Sequence, residues 1–477
     1  MSPTSDAPRP AHRSWWLEEA LAHPEFAGPE TPPLQGDTTA DVVILGGGYT
    51  GMWTAWFLKE REPSLDIALL EADICGGGPS GRNGGFCDGW WGHLVDMVKT
   101  YGEADALELL MTIGRSPTEI GAWCEANGVD AWFAPAGDLA VATNPTHEGS
   151  WARTLELAGL LGIADEYEAL TPQQVQERCA SPAFGGGILI HDAANVQPAR
   201  LARGLRRVLI EKGVRIFEHS PVTRFRASRP AVAETLTGRV TAAEAVIGLG
   251  AWATWWREFY PRTTVRGSYM VVTEPAPERL EEMGWTGGEQ IRSLRSSIHY
   301  TRTTPDGRIA FGLGGLQPDL ARHIDHRYDY DRRLVARVGR DLYRLFPAFE
   351  GVPLETGWGG PINVSAFTMP FFGSTGRHGN VHYGLGYTGN GVGPSHLGGK
   401  IIASLALHAG DWFTRLAVVT KRPKRFPPEP IRSPGMLIAN AAIRHKDDLQ
   451  DRRRWVDPIT MFIARLPRRL GFNLGPR

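Results

Sequence analysis

Residues 41–51 read Asp-Val-Val-Ile-Leu-Gly-Gly-Gly-Tyr-Thr-Gly, and no other stretch of the chain constrains its fold as tightly. Val42 to Leu45 form a short β-branched and apolar run, the pattern of a strand buried on both faces. Gly46, Gly48 and Gly51 fit G-x-G-x-x-G. The first glycine permits a tight turn, the second lets a pyrophosphate approach the backbone, and the third lets the next helix pack close to the strand. That helix is expected over Tyr49 to Arg61, with Tyr49 and Thr50 at its N-terminus among free N–H groups and a partial positive charge. Asp66 to Leu70 supply a second strand. Glu71 follows Gly51 by 20 residues, where a carboxylate holds a ribose hydroxyl, and Ala72 lies beside it. A lone glycine motif also fits a loop in another α/β protein. Strand, turn, helix, strand and acid in this order within about 30 residues favour dinucleotide binding.

The chain has 477 residues, enough for two or three domains. Its net charge of −1 gives no global field for nucleic acid. The four cysteines, Cys75, Cys87, Cys124 and Cys179, form no C-x-x-C and have no His cluster beside them, so no metal site is expected and a reduced cytoplasmic setting is. The first 35 residues are polar and Pro-rich without an apolar h-region, so no signal peptide is expected. No apolar run is long enough to span a bilayer.

The fold class expected is α/β: a discontinuous Rossmann-like dinucleotide domain with an interleaved α+β substrate domain on a mainly antiparallel sheet. Residues 1–38 read as an arm of weak order in which Ser14-Trp15-Trp16-Leu17 can rest on the body. Residues 39–100, 184–260 and 355–412 are assigned to the dinucleotide domain, and 101–183 and 261–354 to the substrate domain. Leu107, Leu109, Leu110, Ile113 and Ile120 mark helices in the first insertion. Tyr269-Met270-Val271-Val272 and Ile298-His299-Tyr300-Thr301-Arg302 mark strands in the second, with a hairpin signal at Asp306-Gly307. Residues 413–477 are basic, Pro-punctuated and expected to be helical. Their segment 455–470 is partly amphipathic, but Pro458 and Pro467 favour packing on the body or a partner subunit over lying on a membrane.

Two further glycine clusters stand out. Ser80-Gly81-Arg82-Asn83-Gly84-Gly85 follows Glu71 closely, and Arg82 there can offset phosphate charge or lie near a ring. Gly384-Leu385-Gly386-Tyr387-Thr388-Gly389-Asn390-Gly391-Val392-Gly393 follows the strand Val381-His382-Tyr383 and leads into a helix, a second positive helix end.

Asp41–Gly51, Glu71, Ser80–Gly85, Val222, Leu249-Gly250-Ala251-Trp252 and Gly386–Val392 together resemble the D-amino-acid-oxidase-type family of FAD-dependent oxidoreductases over about residues 38–410. The Ser-Gly-Arg-Asn-Gly-Gly form resembles its gamma-glutamylputrescine oxidoreductase branch. The resemblance implies that Gly46, Gly48 and Gly51 face the FAD pyrophosphate and that Glu71 binds the ribose. It places Ser80, Gly81, Arg82, Asn83, Gly84 and Gly85 along the path to the flavin, Val222 at the adenine and Gly250 nearby, and Gly389, Asn390, Gly391 and Val392 at the flavin pyrimidine edge. Relatives that hold FAD covalently use a late Cys or a His near the loop. This chain has no Cys after Cys179 and has Arg82 in the loop, so non-covalent FAD is expected. Trp358-Gly359-Gly360 is followed by Pro361-Ile362-Asn363 where amino-acid oxidases of the family often have an Arg, which favours an amine over a free amino acid.

The reaction this implies is hydride transfer from an amine carbon to flavin N5, giving an imine that hydrolyses, with oxygen as electron acceptor. A dehydrogenase that passes electrons to a quinone or other carrier, and a non-catalytic flavin-binding protein, are the alternatives. His299, Tyr300 and Trp358 are the catalytic candidates, with alternation allowing only one of His299 and Tyr300 to face the pocket. Trp90, Trp91, Arg302, Asn363 and Phe367 are the substrate-binding candidates, and His93 is a further one. For each of the aromatics a place in the core fits as well as a place in the pocket wall.

Overall fold

The computed structural model describes residues 9–10, 13–318 and 323–472; the outer parts of the expected arm and C-terminal extension, 1–8, 11–12 and 473–477, lie outside the described residues. The strand Gly36–Leu45 forms the middle of an eight-stranded sheet. It runs parallel to Ile67–Leu70 on one side, in the register Val42↔Ile67 and Leu45↔Leu70, and to Gly238–Ile247 on the other. Val381–Leu385 continues the sheet parallel to Gly238–Ile247. Ile67–Leu70 and Val381–Leu385 are buried along their whole length, as are Val42–Leu45 and Ala245–Ile247 at the ends of the two longer strands, because both faces are covered there and alternation is lost. Two helices lie side by side on one face, Tyr49–Arg61 and Val392–Ala406. Gly399 makes that approach feasible, since a Cβ there would stand 2.7 Å from the Trp53 backbone carbon.

The second sheet has nine strands. Thr263–Thr273 pairs antiparallel with Leu354–Ser365 and with Ile309–Pro318, and His299–Thr303 follows outside the latter. Gln290–Ser293, Asp138–Val141, Gly187–Ile190 and Tyr167–Leu170 complete that side. Thr304 to Arg308 close the expected hairpin, with Gly307 at φ +84°. Gly187–Ile190 and Leu354–Ser365 fall in this sheet, although the sequence reading joined them to the dinucleotide unit. An apolar strand reads alike in either sheet, and its partners here lie far off along the chain. A short ribbon, Phe86–Asp88 against Ala193–Asn195, bridges the two layers.

From Ser14 onward the arm is more ordered than its composition suggests. Ser14 caps the helix Trp15–Leu21, its Oγ accepting from Leu17 N–H at 3.1 Å and donating to the Gly81 carbonyl. Trp16 and Leu17 are fully buried. Beyond the second sheet, the C-terminal segment forms the helices Arg432–Asp451 and Pro458–Arg469. Pro458 occupies the first helical position, where its missing N–H costs nothing. No helix among the described residues is long and apolar enough to cross a membrane.

Candidate functional site

One cavity of about 830 Å³ runs from the first glycine loop to the face of the nine-stranded sheet. At its first end Gly46 has φ +103°, and a Cβ there would lie 2.7 Å from the Gly248 carbonyl oxygen. Gly51 sits behind the wall, where a Cβ would be 2.1 Å from the Gly46 carbonyl oxygen. Gly46, Gly48, Tyr49 and Thr50 line the cavity, as do Glu71, Ala72, Val222 and Gly250. Glu71 Oε2 accepts from Gly47 N–H at 2.7 Å and Oε1 from Asp73 N–H at 2.9 Å. Each oxygen keeps a lone pair for a hydroxyl. Burial pushes the Glu71 pKa up while these N–H groups pull it down. Glu71→Ala removes a charge-assisted acceptor worth roughly 1.5–3 kcal/mol, so dinucleotide affinity should fall about 10- to 100-fold in equilibrium titration; unchanged affinity would place the ribose elsewhere.

The second loop closes over this end. Ser80 Oγ accepts from Tyr49 N–H at 2.9 Å, capping the helix N-terminus. Arg82 donates through Nε to the Gly77 carbonyl at 2.9 Å and through Nη1 to the Gly359 carbonyl at 3.2 Å, so its guanidinium is held by backbone at the cavity wall. Asn83 folds the loop on itself, donating to Ser80 O and accepting from Gly85 N–H. Ser80, Arg82, Asn83 and Gly84 line the cavity; Gly81 and Gly85 do not. Those two permit close backbone crossings behind it, where a Cβ would lie 2.2 Å from Gly76 O and 2.0 Å from Val196 O. From the far side come Gly389, Asn390, Gly391 and Val392. Asn390 Nδ2 donates to Asp88 Oδ1 at 2.7 Å, and Asn390 Oδ1 is buried without a hydrogen-bond donor among the described residues. Asn363 lines the cavity too, but both ends of its amide are engaged, with Thr254 Oγ1 and Gly386 N–H, each at 2.6 Å. It pins the late loop.

At the other end Tyr300 enters the cavity, its hydroxyl 2.8 Å from Ser268 Oγ and its ring in the space that Gly84 and Gly312 leave open. Burial pushes its phenol up to about 12. His299 points the other way, as strand alternation requires. Its Nε2 lies 2.9 Å from Arg295 Nη1 and 3.2 Å from Asp341 Oδ2, and burial lowers it to about 4, so it is neutral and off the cavity. Trp358 is fully buried and donates from Nε1 to Arg82 O at 2.9 Å, bracing the loop from behind. Arg302 shares Tyr300's facing, yet it reaches through the gap at Gly85 to the Val196 carbonyl and lies 5.6 Å from the Trp16 ring centroid. Trp90 is buried with φ 64°, and Phe367 is half-buried; neither lines the cavity, whereas Trp91 and His93 do. His93 is held well below its ordinary range by burial.

Charged groups that sequence reading did not select complete this chamber: Asp88, Asp138, Arg266 and Arg292. Asp138 and Arg292 pair at 2.7 Å on adjacent parallel strands. Asp88 stands on the bridging ribbon, and both hydrogen bonds it accepts from described residues, from Asn390 Nδ2 and from Trp90 N–H at 3.2 Å, fall on Oδ1. Burial, reinforced by the Asp138 charge and opposed by Asn390 and Arg292, pushes Asp88 up to about 6. Its position three residues after Gly85 was the available signal.

The model of the FAD dependent oxidoreductase family, DAO, matches residues 41–405. The chain is 28% identical to gamma-glutamylputrescine oxidoreductase of Escherichia coli (strain K12) over 393 residues, 80% of this chain and 87% of that protein. To the sarcosine oxidase subunit beta of an Arthrobacter species it is 23% identical over 378 residues, 74% and 83% of the two chains. Among solved structures, glycine oxidase from Geobacillus kaustophilus superposes with a TM-score of 0.65 at 20% identity, covering 80% of this chain and 99% of that one. L-proline dehydrogenase from P.horikoshii gives 0.63 at 16% identity, over 80% and 96%.

Proposed function

This chain belongs to the DAO family of FAD-dependent oxidoreductases, and from that premise we propose that it oxidises the C–N bond of an amine held between Asp88 and Tyr300. The cavity fits FAD. Its glycine cradle admits a pyrophosphate, and Glu71 has lone pairs for ribose hydroxyls. The four cysteines are buried and off the cavity, which supports a non-covalent hold. Held by the glycine cradle and Glu71, FAD would supply a two-electron acceptor for the hydride on the carbon beside the amine nitrogen.

The observation that carries the reading is Asp88: a half-buried carboxylate beside the late glycine loop, in the same cavity as the dinucleotide cradle. A substrate ammonium must lose a proton before its carbon can yield a hydride. Asp88 Oδ2 is placed to draw the ammonium in and to take that proton. Tyr300 and Trp91 give the carbon chain apolar walls, and the Tyr300 hydroxyl, with Ser268, orients the nitrogen. The imine then released is hydrolysed by water to a carbonyl compound. The relative named for gamma-glutamylputrescine points to an amine, and the missing Arg after Trp358-Gly359-Gly360 points away from α-amino acids.

An anaerobic screen of amines, polyamines and N-acylated polyamines tests the proposal by loss of visible flavin absorbance. Bleaching by at least one of them is expected; none across the series would end the amine reading. In air, one peroxide per amine oxidised is expected, with oxygen as acceptor. Bleaching without peroxide would assign a quinone or another carrier instead.

A further inference from the structure

We infer that the last helix, Pro458–Arg469, docks the protein on a bilayer surface rich in anionic lipid, an inference independent of what the chamber oxidises. The helix lies beyond the residues that the family model matches, 41–405. Asp457 caps it, accepting from Thr460 N–H at 2.9 Å, and Pro467 falls in its last turn without ending it. Ile459, Phe462, Leu466 and Leu470 follow one another at spacings of three, four and four, which places them on one face. From sequence, this stripe is expected to pack on the body or a partner subunit. The structure turns it outward instead. Ile459 is 71% exposed, Phe462 52% and Leu470 58%, and Trp455, just before the helix, is 75% exposed. No residue of the helix is buried among the described residues. The side toward the body carries Arg468, 3.6 Å from Asp96.

Docking needs no folding step, because the helix is already built and seated. It packs along the helix Arg432–Asp451, which is itself fastened to the second sheet. Arg266 Nη2 donates to Asn440 Oδ1 at 2.8 Å, and Asp447 Oδ2 accepts from Ser297 N–H at 2.8 Å. The fully buried Arg295 reaches Asp448 at 3.2 Å and Asp451 at 3.3 Å.

Charge decides what covers the stripe. Between Arg452 and Leu470 stand six arginines and one acid, Asp457, in a chain whose net charge is −1. The Asp457 carboxylate is engaged at the helix start. Arg452, Arg453 and Arg454 precede Trp455, and Arg465 and Arg469 flank the stripe; all five are exposed. Apolar side chains rimmed by arginine fit the boundary between headgroups and acyl chains. The stripe enters the hydrocarbon, the guanidinium groups stay with the lipid phosphates, and Trp455 sits between. A second copy offering the same face would bring arginine against arginine.

Sedimentation of the full-length holoenzyme with vesicles tests the inference. It should bind mixed phosphatidylglycerol–phosphatidylcholine vesicles, bind pure phosphatidylcholine vesicles about tenfold or more weakly, and leave the mixed vesicles as salt rises. Two paired substitutions, at residues that do not line the cavity, separate the contributions: Phe462→Ser with Leu466→Ser, and Arg465→Gln with Arg469→Gln. Each pair should weaken binding to mixed vesicles about tenfold or more, with flavin content and melting temperature unchanged. Absence of binding to mixed vesicles, equal binding to both lipids, or binding that either pair leaves unchanged would overturn the inference. So would a wild-type dimer that the serine pair splits, since a second copy would then own the stripe.

Discussion

Replacing Gly51 with valine is expected to give a colourless protein. The argument is steric and local. A Cβ at this position would stand 2.1 Å from the Gly46 carbonyl oxygen and 3.1 Å from Ile44 Cγ2. The first of these is backbone, in the turn that the pyrophosphate must approach, and it cannot swing aside as a side chain does. Relief requires the helix Tyr49–Arg61 to lift off the strand Gly36–Leu45, which removes its N-terminal N–H groups from the phosphate position. Strain of this kind typically costs more than about 3 kcal/mol, and dinucleotide affinity should fall more than about a hundredfold with it. The flavin-to-protein ratio after gel filtration measures the loss, and thermal melts with and without excess FAD separate lost cofactor from a lost fold. Gly51→Ala should show a smaller version of both. A valine variant that purifies with one flavin per chain and an unchanged melt would show that helix and strand are not in contact as described.

The dinucleotide end was legible because its determinants are close in sequence. A turn, a helix start and an acid fall within one strand–helix–strand unit, and each residue type is demanded by backbone geometry or by a hydroxyl. The chamber was not legible in this way. Its residues sit on the ribbon Phe86–Asp88 and, within the nine-stranded sheet, on the strands Thr263–Thr273 and His299–Thr303 and the neighbouring strands of Asp138 and Arg292, all distant from one another along the chain. Alternation did separate Tyr300 from His299 in principle, but nothing local said which face was which. Trp358 and Arg302 misled because an aromatic or an arginine on a pocket-edge strand looks the same whether it faces the ligand or props the loop behind it. Gly85 decides the case of Arg302, since the missing side chain is what lets the guanidinium through to Val196. The C-terminal helix showed only as a basic, helical segment. Its attachment to the body rests on Asn440 and three aspartates meeting partners 150 or more residues away, a spacing that no local pattern records.

Asp88→Asn should move stability and activity in opposite directions, a combination that few other side chains in the cavity would produce. In the folded protein the Asp88 pKa is raised from an ordinary 3.8 to about 6. A carboxyl raised in this way stabilises the fold while it is protonated, below its unfolded pKa, and that contribution is lost as pH rises through about 6. At pH 8 the charged form therefore costs the fold about 3 kcal/mol, at about 1.4 kcal/mol per pKa unit. The asparagine variant does not carry that cost. It should melt higher than wild type at pH 8, by several degrees, with the difference closing toward pH 4. The same substitution removes the carboxylate that Asn390 holds at the late glycine loop. Anaerobic reduction of the flavin by an amine should slow by about 10²- to 10³-fold, with flavin content unchanged. The wild-type rate should fall off below pH 6 as Asp88 becomes protonated, and that acidic limb should disappear in the variant. A variant that is more stable at alkaline pH yet reacts as fast as wild type would make Asp88 a buried liability and move the amine to another wall. One that is slower but no more stable would mean that Arg292 and Asn390 already compensate its charge, leaving it ionised through the whole range.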